Sequence, residues 1–575
     1  MDFQSLTFDE PFSGNTLNAD GMIHTRGRPA IPLDGDWDFL TDEYDFVLRQ
    51  GHYRCVGVDP ETAERPWEAD FDHYDTLPVP GSWGQGGELR HYEGTAWYHR
   101  RLAHRPAPGH RIFLRIGGAN YDTKIFLNSE FLGNHLGGST PFFAEVTGRL
   151  TGDDRLLIGL NNARRADRIP PDNTDWTNYG GLHREVSLIE VPEAFIRDVF
   201  VRLDGDSIAA SVSVVGGTGP VFLRIPDLGI DAEAEAKGGV AEFRIAATPE
   251  LWSPDIPRLC DVEASYGADT ITDRVGFRTI ETRGTEILLN GTPLFLRGIS
   301  VHEDDAETGR ATSEDDIRRR FRHAKELNCN FVRLAHYMHH ERAAEIADEE
   351  GLMLWCEVAV YWAVDWHNPR TFADADNQLS EMILRDRNRA SIVMWSVGNE
   401  NLDSDARLDF LGRLAATCRR LDPTRLVTAA VLVNKETMRV EDRLAAHLDV
   451  LGLNQYYGWY VQDWDEFRRL ILDSEPDKPV IISEMGAGAR AGYHGRDDQP
   501  FTEEYQDRVY RQQIEVLEQT EYIAGMTPWI LYDFRCPRRK TRFQRGFNRK
   551  GLIDADKTTK KAAFHRLAKF YARKG

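Results

Sequence analysis

Residues 391–400, Ser391-Ile-Val-Met-Trp-Ser-Val-Gly-Asn-Glu400, form an apolar stretch of strand length that ends in a carboxylate. A second stretch, Pro479-Val-Ile-Ile-Ser-Glu484, has the same form. Both belong to a series of apolar runs that alternate with helical patterns after about Thr282. Strands that are apolar throughout and are separated by helices are typical of a parallel sheet whose two faces are both covered.

The series contains eight strand candidates. They are Leu296–Ser300, Phe331–Ala335, Met353–Val358, Ile392–Val397, Leu426–Val431, Val450–Asn454, Val480–Ser483 and Met526–Tyr532. Amphipathic helices are predicted between several of them, at Asp315–Leu327, Glu341–Glu350, Arg407–Arg420 and Glu503–Glu518. Acidic residues in the first turn suit the start of the first helix, and Gly351 suits the end of the second. Eight strand–helix units predict a (β/α)8 TIM barrel over residues 282–575.

The part of the chain before Thr282 is rich in short alternating strands without helical periodicity between them. Residues 1–192 contain the strand candidates 95–99, 111–116 and 123–128, which predict a β-sandwich of jelly-roll type. Residues 193–281 predict a small immunoglobulin-like β-sandwich. Its candidate strands are Ile196–Arg202, Ser207–Val214, Val221–Ile225 and Ile271–Arg278. The predicted fold class is therefore multidomain, with two β-sandwiches ahead of a TIM barrel.

Composition limits the classes of partner. The chain has 575 residues and a formal net charge of −22, which disfavours nucleic acid and anionic membranes. No apolar run reaches the roughly 18–20 residues that a membrane-spanning helix needs. The six cysteines are scattered singly, mostly in apolar segments, so we expect free buried thiols. Because the first ten residues lack the basic and then apolar pattern of a secretory signal, we expect a cytoplasmic protein.

The two carboxylates at strand ends indicate the chemistry. In a TIM barrel, functional groups lie at the C-terminal ends of the strands, so Glu400 on strand four and Glu484 on strand seven should face the same mouth. Retaining glycoside hydrolysis requires two carboxyl groups about 5–5.5 Å apart, one as nucleophile and one as acid and then base. Either glutamate alone could simply cap a helix or pair with an arginine. A carbohydrate-binding protein without catalysis on the same scaffold is a further alternative, since fold does not determine function.

Nearly the whole chain resembles glycoside hydrolase family 2, and within it the β-glucuronidases most closely. Trp395-Ser-Val-Gly-Asn-Glu400 resembles the acid/base motif of the family, and Ile482-Ser-Glu484 resembles its nucleophile motif. The resemblance implies a retaining exo-acting hydrolase that releases a terminal β-linked hexuronic acid. Glu484 would form the covalent glycosyl-enzyme and Glu400 would act as acid/base, without a metal or another cofactor.

The resemblance also implies roles for residues around this pair. Asn399 matches the residue that donates to the 2-hydroxyl of the sugar, and Arg333 matches an arginine beneath the nucleophile. Tyr456, Tyr460 and His302 match residues that lie beside the nucleophile or contact the substrate. His336, which follows strand two, and Trp529, in the segment of strand eight, are added as candidate substrate-binding residues.

Substrate choice depends on segments outside the strands of the barrel. Phe547-Asn-Arg-Lys-Gly551 resembles the Asn-x-Lys motif that holds the C6 carboxylate in glucuronidases, which implies this role for Asn548 and Lys550. An amide and an ammonium donor near one point suit an anion. Asp175, in a stretch of the first sandwich, matches an aspartate that binds a sugar hydroxyl. Residues 535–545 are rich in arginine, and Arg545 is the nearest candidate for the substrate-facing arginine of the family.

Several alternatives remain open from the sequence. Galacturonides differ from glucuronides only in the direction of the 4-hydroxyl, so a β-galacturonidase is possible. A metal-dependent β-galactosidase of the same family would place Glu-x-His on strand three, where Trp355-Cys-Glu357-Val-Ala-Val lacks the histidine. We expect a β-linked uronide saccharide or a glucuronide conjugate as substrate. The resemblance further implies a homo-oligomer, either a dimer or a tetramer.

Overall fold

The computed structural model describes residues 16–574, apart from 19–20, 60, 65–67, 72–74 and 85–86. The first fifteen residues, with which the predicted first domain starts and on which the expectation of a cytoplasmic location rests, lie outside the described residues. Three regions follow one another along the chain, and each has its own sheets and its own buried apolar core.

The first region is a sandwich of two antiparallel sheets. Its strands are β1 (Ala30–Pro32), β2 (Gly35–Asp42), β3 (Asp75–Val79), β4 (Thr95–Leu102), β5 (His110–Ile116), β6 (Ala119–Asn120), β7 (Asp122–Leu127), β8 (Glu130–Leu136), β9 (Phe142–Glu145), β10 (Asp154–Asn161), β11 (Gly181–Leu182) and β12 (Val186–Pro192), with helix α1 (Phe46–Arg49) and 3-10 turns at His52–Arg54 and Glu88–His91. One sheet has the order β1-β12-β5-β9 and the other β3-β2-β4-β10-β7-β8. Alternate side chains of both sheets, such as Leu114 and Ile158, form one core between them.

The second region is a smaller antiparallel sandwich. Its strands are β13 (Phe195–Asp204), β14 (Ser207–Val215), β15 (Pro220–Ile225), β16 (Ile230–Glu235), β17 (Val240–Ala246), β18 (Cys260–Tyr266) and β19 (Asp269–Val275), with a 3-10 turn at Pro226–Leu228. They form sheets of order β13-β14-β17 and β16-β15-β18-β19. Strict alternation of buried and exposed residues along β19 shows why this segment forms a half-buried strand.

The third region is a closed barrel of eight parallel strands. A small sheet precedes it, formed by β20 (Ile280–Arg283), β21 (Glu286–Leu289) and β22 (Thr292–Pro293), so the predicted boundary after residue 281 falls inside β20. The barrel strands are β23 (Leu296–Val301), β24 (Phe331–Leu334), β25 (Met353–Glu357), β26 (Ile392–Asn399), β27 (Leu426–Leu432), β28 (Val450–Asn454), β29 (Val480–Glu484) and β30 (Ile523–Met526). The predicted fold class, with a C-terminal TIM barrel, is confirmed.

Helices surround the barrel. They are α2 (Glu314–Glu326), α3 (Glu341–Glu350), α4 (Pro369–Asp386), α5 (Asp405–Leu421), α6 (Trp464–Leu472), α7 (Glu503–Leu517) and α8 (Ala562–Arg573), with a 3-10 turn at Arg443–His447 and a short pair of strands, β31 (Phe534–Arg535) and β32 (Phe547–Asn548). Ser313 and Asp316 form a reciprocal capping box at the start of α2. Gly351 ends α3 with a φ of 70°, as predicted.

The eighth strand differs from its prediction. It covers Ile523–Met526, whereas the apolar run of the sequence indicated Met526–Tyr532. Pro528 lacks an amide hydrogen and cannot donate to a neighbouring strand, so regular pairing ends before it. The carbonyl of Pro528 still accepts from the amide of Ser300, and Leu531 donates to the carbonyl of Ser300. Residues 527–532 thus line β23 irregularly and turn Trp529 toward the mouth of the barrel.

All six cysteines are buried, as expected. In the described ranges, no helix is both long enough and apolar enough to span a membrane.

Candidate active site

A cavity of about 990 Å³ opens at the C-terminal ends of the barrel strands. Glu400 and Glu484, predicted from strands four and seven, both line it. Glu484 is the last residue of β29, and Glu400 directly follows β26. The parallel barrel brings these two strand ends to one face, which is why residues 84 positions apart in the sequence meet.

Glu484 is a buried carboxylate that is held by two donors. Its Oε1 accepts from Nη1 of Arg333 at 2.9 Å, and its Oε2 accepts from the hydroxyl of Tyr456 at 2.5 Å. A cation and a hydroxyl donor both favour the ionised form of a carboxyl group. Burial, followed by the charge of Glu484, raises the pKa of Tyr456 well above its ordinary value, so its hydroxyl keeps the donated proton.

Arg333 joins Glu484 to a second buried carboxylate. Its Nη2 and Nε donate to the two oxygens of Glu357 at 3.1 and 3.2 Å. His336 also contacts Glu357, with Nδ1 2.9 Å from Oε1. Burial alone would raise the pKa of Glu357, but Arg333 and His336 outweigh it and lower that pKa. Glu357 therefore remains an anion that orients the arginine under the nucleophile candidate.

Glu400 has a different environment from Glu484. Its side chain accepts a hydrogen bond from the indole N–H of Trp362, with Nε1 2.7 Å from Oε2. Burial, together with the nearby charge of Glu484, raises the pKa of Glu400 to about 7. One carboxyl group with a raised pKa beside a second one that accepts from an arginine and a tyrosine is the arrangement that a general acid and a nucleophile require.

Asn399 is the residue before Glu400 and has a free donor. Its Oδ1 accepts from Nη2 of Arg333 at 2.7 Å and from Nδ2 of Asn454 at 3.2 Å. Both bonds fix the amide, and within the described part of the chain its buried Nδ2 has no hydrogen-bond partner. A buried amide donor without a partner is costly unless a ligand occupies it. The predicted contact with the 2-hydroxyl of a sugar would satisfy it.

Aromatic rings surround the base of the cavity. Trp529 stacks on His336 with ring centroids 4.8 Å apart, and both residues line the cavity. His302 lies behind them in contact with Trp529, and its Nδ1 is 3.1 Å from the hydroxyl of Tyr337. Burial lowers the pKa of His302 well below its ordinary value, so the ring is neutral. The structure therefore places His302 in the wall behind the lining residues.

A cationic cluster lies on another side of the same cavity. Nζ of Lys550 donates to the hydroxyl of Tyr460 at 2.8 Å, and Nη1 of Arg539 donates to it at 3.1 Å. Although burial raises the pKa of Tyr460, the two cations outweigh it and lower that pKa. Lys550 itself is only 4% exposed. Asn548 fixes the backbone of this segment because its Oδ1 accepts from the amide of Lys550.

Asp175 connects the first sandwich to this cluster. Its Oδ2 accepts from Nη2 of Arg539 at 2.5 Å and from Nδ2 of Asn548 at 3.3 Å. The next residues hold it there, since the hydroxyl of Thr177 donates to the carbonyl of Arg535. Asp175 lines the cavity, as the sequence predicted, but in this structure it is paired with an arginine that the sequence did not single out.

Arg545 does not take the predicted place at the substrate. Its side chain is exposed, and Nε donates to the carbonyl of Arg542 at 3.2 Å. A turn over residues 541–546 directs it outward, because the amides of Gln544 and Arg545 both bond to the carbonyl of Thr541. Arg539 occupies the cavity instead. In the sequence, the only indication of Arg539 was that residues 535–545 are rich in arginine. No motif or spacing indicated Trp362.

Among the described residues, no group of three or more His, Cys, Asp or Glu side chains is arranged to hold a metal ion. At the end of strand three, where a metal-dependent galactosidase would have Glu-x-His, Glu357 is paired with Arg333 at 3.1 Å. A guanidinium in that position competes with a metal cation for the carboxylate.

The chain is similar to known proteins of one family. The family model described as glycosyl hydrolases family 2, TIM barrel domain, matches residues 280–573. A β-glucuronidase of Paenibacillus borealis is 30% identical over 545 residues, covering 85% of this chain and 90% of the relative. A β-glucuronidase of Canis lupus familiaris is 29% identical over 610 residues, covering 95% and 91%.

Solved structures agree over nearly the whole chain. The β-glucuronidase from Ruminococcus gnavus in complex with D-glucuronic acid has a TM-score of 0.84 at 26% identity, covering 96% of this chain and 100% of that one. The Bifidobacterium dentium β-glucuronidase complexed with coumarin-3-O-glucuronide has a TM-score of 0.84 at 27% identity, covering 95% and 97%. With its closed barrel and a family model that spans it, the chain belongs to glycoside hydrolase family 2 and is a glycoside hydrolase.

Proposed function

We propose that this glycoside hydrolase is a retaining, exo-acting β-glucuronidase. The observation that supports it most is the convergence of Lys550 and Arg539 on Tyr460, in the same cavity as Glu400 and Glu484. Two cations beside a polarised hydroxyl suit a carboxylate, which distinguishes uronic acids from neutral sugars. Relatives named β-glucuronidase match this chain over most of their length.

In the first step, the Glu484 carboxylate attacks the anomeric carbon while Glu400 donates its proton to the glycosidic oxygen. The bond to the aglycone breaks, the aglycone leaves as an alcohol, and the sugar is bound to Glu484 as an ester. Arg333 and Tyr456 hold Glu484 in place for the attack. A pKa of about 7 keeps a large share of Glu400 protonated at neutral pH.

In the second step, Glu400 acts as a base. The charge of Glu484 is consumed in the ester, so the repulsion that raised the pKa of Glu400 is lost and Glu400 ionises more readily. It then takes a proton from water, whose oxygen attacks the anomeric carbon and displaces Glu484. Two inversions give a β-configured product, so the anomeric configuration is retained.

The C6 carboxylate of the sugar would lie against Lys550 and Arg539. Lys550 is held over the rings of Tyr456 and Tyr460, with Nζ 4.9 and 4.7 Å from their centroids, so its ammonium is fixed in place. Arg539 is paired with Asp175. The incoming carboxylate would share the guanidinium and accept from the amide of Asn548, which leaves Asp175 to bind a sugar hydroxyl.

The deciding experiment is the initial rate on four aryl β-glycosides: glucuronide, galacturonide, galactoside and glucoside. We expect a strong preference for glucuronide, with Glu484→Gln inactive on all four. Preference for galacturonide would keep the carboxylate site and the mechanism, and would change only the configuration of the substrate at its 4-hydroxyl. Preference for a neutral sugar would refute the carboxylate site and favour a β-galactosidase, and sugar binding without turnover would favour a non-catalytic binding protein.

We also propose a cytoplasmic homo-oligomer, dimer or tetramer, that acts on a β-linked uronide saccharide or a glucuronide conjugate and binds neither nucleic acid nor membrane. Six buried, singly scattered cysteines are compatible with a reducing compartment, and a net charge of −22 repels polyanions. Light scattering on the purified protein would give the oligomeric state, and a mass equal to one chain of 65.5 kDa would refute it.

A further inference from the structure

Trp362 forms hydrogen bonds with both residues that flank Glu400 in the chain. Its amide donates to the carbonyl of Asn399 at 2.9 Å, and its carbonyl accepts from Nδ2 of Asn401 at 3.0 Å. Its φ is 54°, a left-handed conformation that is unfavourable for a large side chain. The loop after β25 is thus held in a fixed register against Glu400, which itself has a φ of 51°.

The indole is fixed as well as the backbone. It packs on Tyr361, with ring centroids 4.6 Å apart, and the guanidinium of Arg538 lies 5.1 Å from its centroid. These contacts direct Nε1 at Oε2 of Glu400, 2.7 Å away. Trp362 lines the cavity, but the reaction described above gives it no role.

We propose that Trp362 is a positioning residue for the acid/base, and that its indole N–H directs the transferable proton to Oε1 of Glu400. This inference rests on the proposed function, in which Glu400 donates to the glycosidic oxygen. Because the indole can only donate, Oε2 must accept from it. The carbonyl oxygen of a carboxylic acid is a stronger acceptor than its hydroxyl oxygen, so a protonated Glu400 keeps Oε2 as the carbonyl and carries its hydrogen on Oε1. The same bond prevents the carboxyl group from rotating away from the leaving oxygen.

The bond also affects the pH range. Glu400 is faced by Glu484, whose charge raises its pKa, and by Arg333, which lowers it; Tyr361 and Tyr456 also lie close. Burial is the largest cause of the raised value, and hydrogen bonding from Trp362 and from Asn454 acts against it. Removing the indole donor should therefore raise the pKa of Glu400. Because the acid works in its protonated form, the alkaline limb of kcat/KM would move to higher pH.

The test compares Trp362→Phe with Trp366→Phe on two glucuronides. Trp366 lies on the same loop and packs edge-on against Phe410, with ring centroids 5.2 Å apart. Unlike Trp362, it is not among the described residues that line the cavity. The substrates are 2,4-dinitrophenyl glucuronide, whose leaving group needs no proton, and methyl glucuronide, whose leaving group does.

For Trp362→Phe we expect kcat/KM on the methyl glucuronide to fall about 10-fold more than on the dinitrophenyl glucuronide. The alkaline limb should rise by about one pH unit, the effect of one hydrogen bond to a charged group. Asn401→Ala, which frees the carbonyl of Trp362, should change both quantities in the same direction by less. Trp366→Phe, the control, should affect both substrates equally and leave the alkaline limb of kcat/KM where it is. If Trp362→Phe and Asn401→Ala behaved in the same way as this control, the inference would be overturned.

Glu400→Ala separates this inference from the proposed function. If Glu400 is the acid/base, that variant should lose far more activity on the methyl than on the dinitrophenyl glucuronide. Azide should then restore turnover by attacking the anomeric carbon of the glycosyl-enzyme, displacing Glu484 and leaving a β-glycosyl azide. Without these effects, the assignment of Glu400 fails and the role of Trp362 fails with it. If Glu400→Ala does show these effects, but Trp362→Phe leaves the ratio of kcat/KM on the two glucuronides unchanged, only the role of Trp362 is refuted.

Discussion

Nη1 of Arg333 lies 2.9 Å from Oε1 of Glu484, while the rest of the same guanidinium faces Glu357. All three side chains are buried. One planar cation on β24 thus serves carboxylates on two other strands, β25 and β29. Both carboxylates in turn raise the pKa of Arg333 against the effect of burial, so it remains charged. The orientation of Glu484 therefore depends on Glu357, although Glu357 lies on a different strand and takes no direct part in the proposed reaction.

This geometry requires the fork of an arginine. In Arg333→Lys, a single ammonium cannot reach both carboxylates with the same bonds. We expect kcat to fall about 100-fold and the free energy of unfolding to fall by about 1–3 kcal/mol. Arg389→Lys is the control, because Arg389 pairs with buried Asp273 between the second sandwich and the barrel. It should lose stability while kcat stays unchanged, and a loss of kcat equal to that of Arg333→Lys would refute the local role.

Glu400 should determine the alkaline limit of activity. Its pKa is raised to about 7 by burial and then by Glu484. Since the acid must be protonated in the free enzyme, kcat/KM on an unactivated glucuronide should fall with rising pH, with a midpoint near pH 7. Glu400→Gln removes the titrating group, so its kcat/KM on an activated glucuronide should be flat across that range. A limb that persists in Glu400→Gln would belong to another residue.

Arg539 and Arg545 provide a matched pair for the carboxylate site. Arg539 reaches Tyr460 and Asp175 in the cavity, whereas Arg545 is exposed and bonds to its own turn. A lost hydrogen bond to a charged group is worth about 1.5–3 kcal/mol. Arg539→Gln should therefore lower kcat/KM on the glucuronide by about 10- to 100-fold, with much less effect on a neutral glucoside. Arg545→Gln should stay within about twofold on both, and the reverse ranking would restore Arg545 to the site.

The strand pattern made most of the barrel predictable. Seven of the predicted strands overlap their observed counterparts with ends that shift by a few residues, because apolar runs between helices leave few alternatives. The positions of Glu400 and Glu484 follow from the rule that strand ends converge in a barrel. The eighth strand was misplaced because its apolar run continues past Pro528 into an irregular segment that is buried for another reason, its contact with β23.

The residues that escaped prediction lie on loops. Arg539 and Arg545 are six residues apart in one arginine-rich segment, and only the turn at residues 541–546 decides which of them faces the cavity. Trp362 follows β25 with a positive φ that no pattern of side chains encodes. Such positions depend on contacts with distant parts of the chain, here Asn399 and Arg538, so local sequence could not indicate them.

Lys560 and Lys561 are neighbours with very different expected contributions to stability. Nζ of Lys561 is fully buried and donates to Asp533 at 2.7 Å and to the carbonyls of Ala489 and Arg549. Lys560 makes a partly exposed ion pair with Glu326. Removing one partner of a buried ion pair leaves an uncompensated charge and costs about 3–5 kcal/mol, whereas a surface pair contributes little.

Lys561→Met should therefore lower the free energy of unfolding by about 3 kcal/mol or more, and Lys560→Met should stay within about 0.5 kcal/mol. Because Lys561 holds the carbonyl of Arg549, directly before Lys550, its loss should also raise KM for the glucuronide more than it changes kcat. Denaturant unfolding and steady-state kinetics on the folded fraction would measure both. Equal stability losses in the two variants would show that Arg549, 3.2 Å from Asp533, suffices to neutralise that carboxylate.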